Sequence, residues 1–219
     1  LNPRLIQVLE AYYALFFTAG FAFLMLSRKY RNLRAIWHRL LFVYALSLLI
    51  HAVVTLGSGQ LLTMLVIGML ITLVIEWLAM KYDFWGRYEY SSRFTPILPG
   101  GMPLPVVVAW GTIIFLAYWG ALAIFGFIAY LVGVSIPSAS SAGVRIIISL
   151  IAASVAVGFD LVMDPVMVRH GHWQWKTPGR WYGVPFRNFA GWFISCEAVF
   201  VIVFSIVDPL QPLRIPFFS

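Results

Sequence analysis

Apolar runs long enough to cross a membrane, about 20 residues each, recur along this chain with short polar connectors between them. They fall at Leu5–Leu26, Leu40–Leu56, Leu61–Met80, Leu104–Gly133, Val144–Met163 and Asn188–Val207. Helices and closed barrels are the two ways to satisfy a backbone in lipid, and the alternating pattern of a barrel strand is absent from these runs. The pattern predicts an all-α integral membrane protein: one polytopic domain over residues 1–219, with about six transmembrane helices in one bundle. The fourth run is longer than a span needs and contains Gly111, Gly120, Gly126 and Gly133, which predicts a tilted or interrupted helix. The first run is too long for a leader core and RKYR follows it at once, so it is read as a retained helix.

Composition agrees with the pattern. Hydrophobic residues make up 62% of the 219 positions and charged residues 11%, against about a quarter charged in soluble domains. The net charge of +7 does not point to nucleic acid, because the basic residues sit in connectors between apolar runs, where they orient the protein and meet anionic lipid headgroups. Arg28, Lys29, Arg31, Arg34 and Arg39 occupy the first connector, Lys81, Arg87 and Arg93 the third, and Arg169, Lys176, Arg180 and Arg187 the fifth. By the positive-inside rule these connectors face the cytoplasm and both termini lie outside. The single cysteine, Cys196, permits no intrachain disulfide.

One stretch breaks the apolar monotony. Asp160–Trp192, DLVMDPVMVRHGHWQWKTPGRWYGVPFRNFAGW, holds two Asp, two His, four Trp, four basic residues and an Asn between two greasy flanks. Polar groups at membrane depth are costly and mark function by default. Asp160 and Asp164 are four apart and share a helical face. Pro165 disfavours helical geometry at Asp164, which predicts that the helix ends there. Two carboxylates so placed cannot both ionise cheaply, and a carboxylic acid that keeps its proton is what a general acid needs. Spacing alone leaves a second reading open, in which Arg169, Lys176 or Arg187 neutralises the pair and fastens the loop.

Glu76, one turn before the cytoplasmic end of the third run, is the other candidate acid–base group. Glu197 falls on the opposite side of its helix from Asn188, Trp192 and Ser195, given 100° per residue, and reads as a helix–helix tie. His170 and His172 suggest a metal only weakly. No third ligand has a telling spacing, and Trp173 and Trp175 beside them fit an interfacial aromatic belt. His51 reads as a buried hydrogen-bonding residue. The aromatic rim formed by Trp77, Trp85, Tyr88, Tyr90, Trp173, Trp175, Trp181, Tyr182 and Trp192 is ordinary anchoring in the main, with some ring faces free to stabilise a cation.

These residues resemble the signature of the membrane carotenoid-biosynthesis family that includes bisanhydrobacterioruberin hydratase and γ-carotene hydratase. The later block carries it most specifically: Asp160, Asp164-Pro165, Gly171, Trp173, Trp175, Gly179, Tyr182-Gly183-Val184-Pro185, Asn188 and Gly191-Trp192. A looser earlier block comprises Glu76, Phe84, Gly86, Tyr88, Tyr90, Pro103-Leu104-Pro105 and Trp110. Here Trp85 splits Phe84 from Gly86, and Asp83 stands where a small residue is expected. The resemblance implies addition of water across the terminal isopropylidene double bond of an acyclic carotenoid, giving a tertiary alcohol. It implies Glu76, Asp160 and Asp164 as catalytic groups. Tyr88, Tyr90, Trp110, Trp173, Trp175, Tyr182, Asn188 and Trp192 would then contact substrate. No metal, nucleotide or redox cofactor is required, and the partners are the carotenoid, the lipid bilayer and other carotenoid enzymes or a pigment complex.

Other readings stay open at this level. A membrane prenyltransferase needs two Asp-rich clusters to hold a diphosphate through Mg²⁺, and DLVMD is the one in evidence. A carotenoid cyclase shares the protonation step but leaves no water in its product. A pigment-binding subunit of a membrane complex would use the same aromatic, apolar groove without chemistry.

Overall fold

In the computed structural model, residues 58–92, 94–136 and 140–210 are described, together with Leu46. Apart from Leu46, the first two apolar runs lie outside the described residues, as do the basic connector between them, Glu10, His51 and Arg93.

Four long helices build the described part: α1 (Ser58–Tyr82), α2 (Leu104–Leu131), α3 (Ala142–Arg169) and α4 (Phe186–Ile206). Each has a stretch long and apolar enough to cross a membrane, and together they account for four of the six predicted spans. Two three-residue strands, β1 (Tyr88–Tyr90) and β2 (Trp173–Trp175), complete the elements, so the described fold is mostly but not wholly helical. α1 packs on α2 and α4, and α3 packs on α2 and α4, which makes a ring of four.

The helix boundaries follow from local chemistry. α2 begins behind Pro103 with a second proline in its first turn, where a missing N–H costs nothing. It runs unbroken for 28 residues, roughly 42 Å at 1.5 Å per residue. The expected interruption at its glycines is therefore corrected: the helix passes through Gly111, Gly120 and Gly126, and Gly111 and Gly120 are sites of close helix approach. A Cβ on Gly111 would come within 3.1 Å of Met69 on α1, and one on Gly120 within 3.1 Å of Val155 on α3. α2 ends before Gly133, which takes the left-handed φ of +68° typical just past a helix end. α3 starts at a Ser141 cap whose hydroxyl accepts from Val144 N.

The predicted helix end at Asp164 is also corrected, since α3 continues through Pro165 to Arg169. Proline removes the hydrogen bond that would reach the Leu161 carbonyl four residues back. Trp181 replaces it, donating its indole N–H to Leu161 O at 3.0 Å. Once that carbonyl has a partner, the helix carries Asp164 on a regular turn above Asp160.

The core between the helices is fully buried around Tyr118, Ile114, Leu122, Phe200 and Phe204. Ala117 and Ala121 on α2, and Ala152, Ala153 and Ala156 on α3, leave no side-chain bulk in that core and let the helices close. Polar ties brace it. Ser149 on α3 donates to Glu197 Oε1 on α4 at 2.7 Å, a direct link between these helices. At the far end Arg145 Nη1 donates to the Phe204 carbonyl at 2.5 Å, and Ser140 Oγ donates to Asp208 Oδ1 at 2.8 Å.

At the other end, β1 comes from the α1–α2 connector and β2 from the α3–α4 connector. They pair antiparallel with Tyr88 opposite Trp175 and Tyr90 opposite Trp173. Lys176 N to Arg87 O and Ser91 N to His172 O, both 2.8 Å, extend the ladder. The two connectors that were read as cytoplasmic thus lie at one end of the bundle.

Candidate active site

Because side chains alternate along a strand, Tyr88, Tyr90, Trp173 and Trp175 share one face of the small sheet, and Glu89 and Gln174 take the other. The aromatic face covers the ends of the four helices. The polar face is exposed, and there Lys176 pairs with Glu89 at 2.7 Å. Beneath the aromatic face is a cavity of about 130 Å³. Each helix contributes to it near one end: Glu76 from α1, Trp110 from α2, Asp160 and Asp164 from α3, and Asn188 and Trp192 from α4.

The three carboxyl groups are almost inaccessible, at 2% for Glu76, 4% for Asp160 and 3% for Asp164. Tyr88 and Tyr90 both donate their hydroxyls to Oε1 of Glu76. Asn188 Nδ2 donates to Oδ2 of Asp164 at 2.8 Å and to Oδ2 of Asp160 at 3.2 Å. Trp173 donates its indole N–H to Oδ1 of Asp164. Among the described residues no basic side chain lines the cavity. The neutralised-pair reading therefore finds no support in the geometry: Lys176 is turned to Glu89, and the aspartates take their bonds from an amide and an indole.

The rings of Tyr88 and Tyr90 are half-buried, but their hydroxyl ends are enclosed. Enclosure first, and the charge on Glu76 second, push both phenols well above the ordinary tyrosine range. They are donors at any physiological pH. Ring contacts hold the roof in place: Tyr88 on Trp175 with centroids 4.8 Å apart, and Tyr90 on Trp173 at 5.9 Å.

Ten of the eleven residues singled out from the sequence as catalytic or substrate-binding line this one cavity. Tyr182 does not. It is 75% exposed, with φ +50°, at the tip of the tight turn that brings Gly179 opposite Gly183. Its place in the motif reflects that turn rather than contact with the cavity. Phe94, Met163 and Met167 also line it and were not foreseen. For the methionines a signal existed: Asp160, Met163, Asp164 and Met167 form one i, i+3, i+4, i+7 stripe. Phe94, in an irregular connector, had none.

Trp85, the residue that departs from the family pattern, lies with its indole directly over Gly191 of α4, where any Cβ would collide with the ring. It seats the α1–α2 connector on α4 beside the cavity wall. His170 directs Nδ1 to the Val166 carbonyl at 2.7 Å, in its own helix. Among the described residues no group of three or more His, Cys, Asp or Glu side chains has the arrangement of a metal site.

Comparison with known proteins bears directly on this cavity. A family model described as carotenoid biosynthesis protein matches residues 35–216, a range that contains every residue lining it. A bisanhydrobacterioruberin hydratase from Haloarcula japonica is 31% identical over 121 residues, 55% of this chain and 36% of that protein. The match thus spans little more than a third of that relative's length. No solved structure matches the chain. With four membrane-length helices, a carboxyl-lined aromatic cavity and a family match over most of its length, the chain belongs to the carotenoid biosynthesis protein family.

Proposed function

We propose that this protein hydrates the terminal isopropylidene double bond of an acyclic carotenoid to a tertiary alcohol, with Glu76, Asp160 and Asp164 as its acid–base groups. One observation carries the reading: three carboxyl groups converge, with no basic partner among the described residues, in an aromatic cavity at one end of an apolar bundle. The unactivated alkene must be protonated, and the proton goes to its chain-side carbon so that the cation forms at the tertiary carbon. Trp110, Trp192 and the roof aromatics offer ring faces to that cation. Water then adds to the tertiary carbon and a carboxylate takes its proton. Like charges this close cannot all form cheaply, so the cluster is suited to carrying protons.

Size supports an end-group substrate. A dry cavity of about 150 Å³ accepts a benzene-sized guest, so about 130 Å³ takes the five-carbon tip of a long polyene. The remainder lies among apolar helices and lipid. The positively charged connectors favour the cytoplasmic surface for this end of the bundle, where water is at hand. The relative's name supports the reaction class.

The test is conversion by the purified protein in lipid. An acyclic carotenoid incubated in H₂¹⁸O is expected to give a tertiary alcohol carrying the heavy oxygen. Carotenoid that binds but returns unchanged would make this a pigment-binding protein, and oxygen drawn from ¹⁸O₂ would make it a hydroxylase.

A further inference from the structure

The carboxyl oxygens around the cavity are not alike. Asp164 accepts from Trp173 at Oδ1 and from Asn188 at Oδ2, and the Trp175 indole turns to the same carboxyl group. Asp160 accepts from Asn188 at Oδ2, at 3.2 Å. One amide nitrogen thus reaches both aspartates. Of their four oxygens, Asp160 Oδ1 alone has no donor among the described residues. Glu76 repeats the pattern. Both tyrosine hydroxyls go to its Oε1, and among the described residues no donor reaches Oε2. Asp160 and Glu76 line the cavity, and neither free oxygen is sealed away as Glu197 Oε2 is. α1 and α3 stand at opposite corners of the ring of four, so Glu76 and Asp160 meet the cavity from opposite walls.

Hydrogen bonding gives the two free oxygens different parts. Neighbouring carboxyl groups share a proton, because both cannot ionise cheaply. An N–H donates to an ionised carboxyl oxygen, and an oxygen that already carries a proton accepts poorly. Three of the four aspartate oxygens are committed to N–H donors, which leaves Asp160 Oδ1 for the proton and Asp164 as the anion. At Glu76 two hydroxyls converge on one oxygen, and charge-assisted bonds of that kind stabilise an ionised carboxylate. Resting on the hydratase reading, we propose that Asp160 Oδ1 delivers the proton to the alkene and that Glu76 Oε2 takes the proton of the attacking water. Asp160 gives H⁺ to the chain-side alkene carbon as the π bond breaks, leaving the cation at the tertiary carbon. Water forms the C–O bond there and releases H⁺ to Glu76. Passage of a proton from Glu76 back to Asp160 resets the site.

Two readouts test the assignment. Infrared difference spectra find the proton without turnover, since the carbonyl stretch of a protonated carboxylic acid stands apart from the carboxylate bands and shifts in D₂O. Subtracting Asp160→Asn from wild type is expected to reveal such a band, and subtracting Glu76→Gln is expected to reveal none. Any other result overturns the proposal. Turnover in D₂O is the second readout. Asp160→Asn is expected to lose about 10²-fold or more in both alcohol formation and deuterium uptake by recovered alkene. Glu76→Gln is expected to lose alcohol to a similar extent while recovered alkene gains deuterium at its vinylic carbon, because a cation that meets no activated water returns its proton. If the wild type makes alcohol and the variants show any other pattern, the assignment falls alone. If Asp160→Asn fails to fold, the glutamate variant decides by both readouts. If the wild type makes no alcohol at all, the hydratase reading fails and takes the assignment with it.

Discussion

Trp110 on α2 and Trp192 on α4 meet with ring centroids 3.8 Å apart and planes inclined by 31°, and both are buried in the cavity wall. An electron-rich surface of two indoles is thereby fixed beside three carboxyl groups. A desolvated cation–π contact is worth about 2 kcal/mol, so Trp192→Leu is expected to slow hydration roughly 30-fold. Trp192→Phe, which keeps a ring face, should lose much less. Rates measured on both variants at saturating carotenoid check this.

The carboxyl groups differ from their surroundings in chemistry rather than in packing. Glu76→Gln, Asp160→Asn and Asp164→Asn keep shape and polarity, and each is expected to cost about 10²–10⁴ in rate while the helical circular dichroism stays as in wild type. Glu197→Gln is expected to leave the rate within a few-fold, because Glu197 bonds to Ser149 and does not line the cavity.

Tyr88 and Tyr90 hold their protons far into alkali. A tyrosine in the unfolded chain ionises near pH 10, so the folded state is favoured below that value and loses this advantage as pH rises above it. Spectrophotometric titration to about pH 11 is expected to show the same number of ionised tyrosines in wild type and in the Tyr88→Phe/Tyr90→Phe double variant. A smaller count in the double variant would mean that these phenols do ionise.

Much of this was legible in the residues themselves. The i, i+4 spacing of Asp160 and Asp164 put both on one helical face, and the run that holds Glu76 placed it near the same end. What spacing could not supply was register. YEY and WQW alternate as strands do, but nothing in either triplet says that Tyr88 meets Trp175 or that both tyrosines reach one glutamate oxygen. Pro165 misled because its local rule is sound. The compensating donor, Trp181, lies on another turn of the chain. Gly111 and Gly120 misled for a similar reason, since their partners Met69 and Val155 belong to other helices.

That compensation is measurable. Trp181→Phe leaves the Leu161 carbonyl unpartnered and is expected to cost about 1 kcal/mol. In a Pro165→Ala background the new backbone N–H takes over the carbonyl, so the same change should cost less. Denaturation in a mild detergent, run as a double-mutant cycle, reads the coupling directly. Additive effects would mean that the indole bond plays no part in tolerating the proline.

Cysteines placed at Glu89 and Lys176 are expected to react with an impermeant reagent from one side of the membrane, because these residues are ion-paired on the exposed face of the sheet. A cysteine at Val134, beyond the far end of α2, is expected to react from the other side. Opposite labelling of positions 89 and 176 would rule out the paired connectors.

The β1–β2 pairing also sets a clock on how the protein is made. β1 is synthesised long before β2, and Asn188 and Trp192 later still. Tyr88 and Tyr90 have no strand to lie against until β2 follows α3, and Asp160 and Asp164 lack their amide donor until the last helix brings Asn188. A nascent chain that stops short of α4 therefore carries two aspartates without the amide that bonds them both. The cavity is thus closed last of all by the helix that carries Asn188 and Trp192, and a chain cut before it lacks that wall.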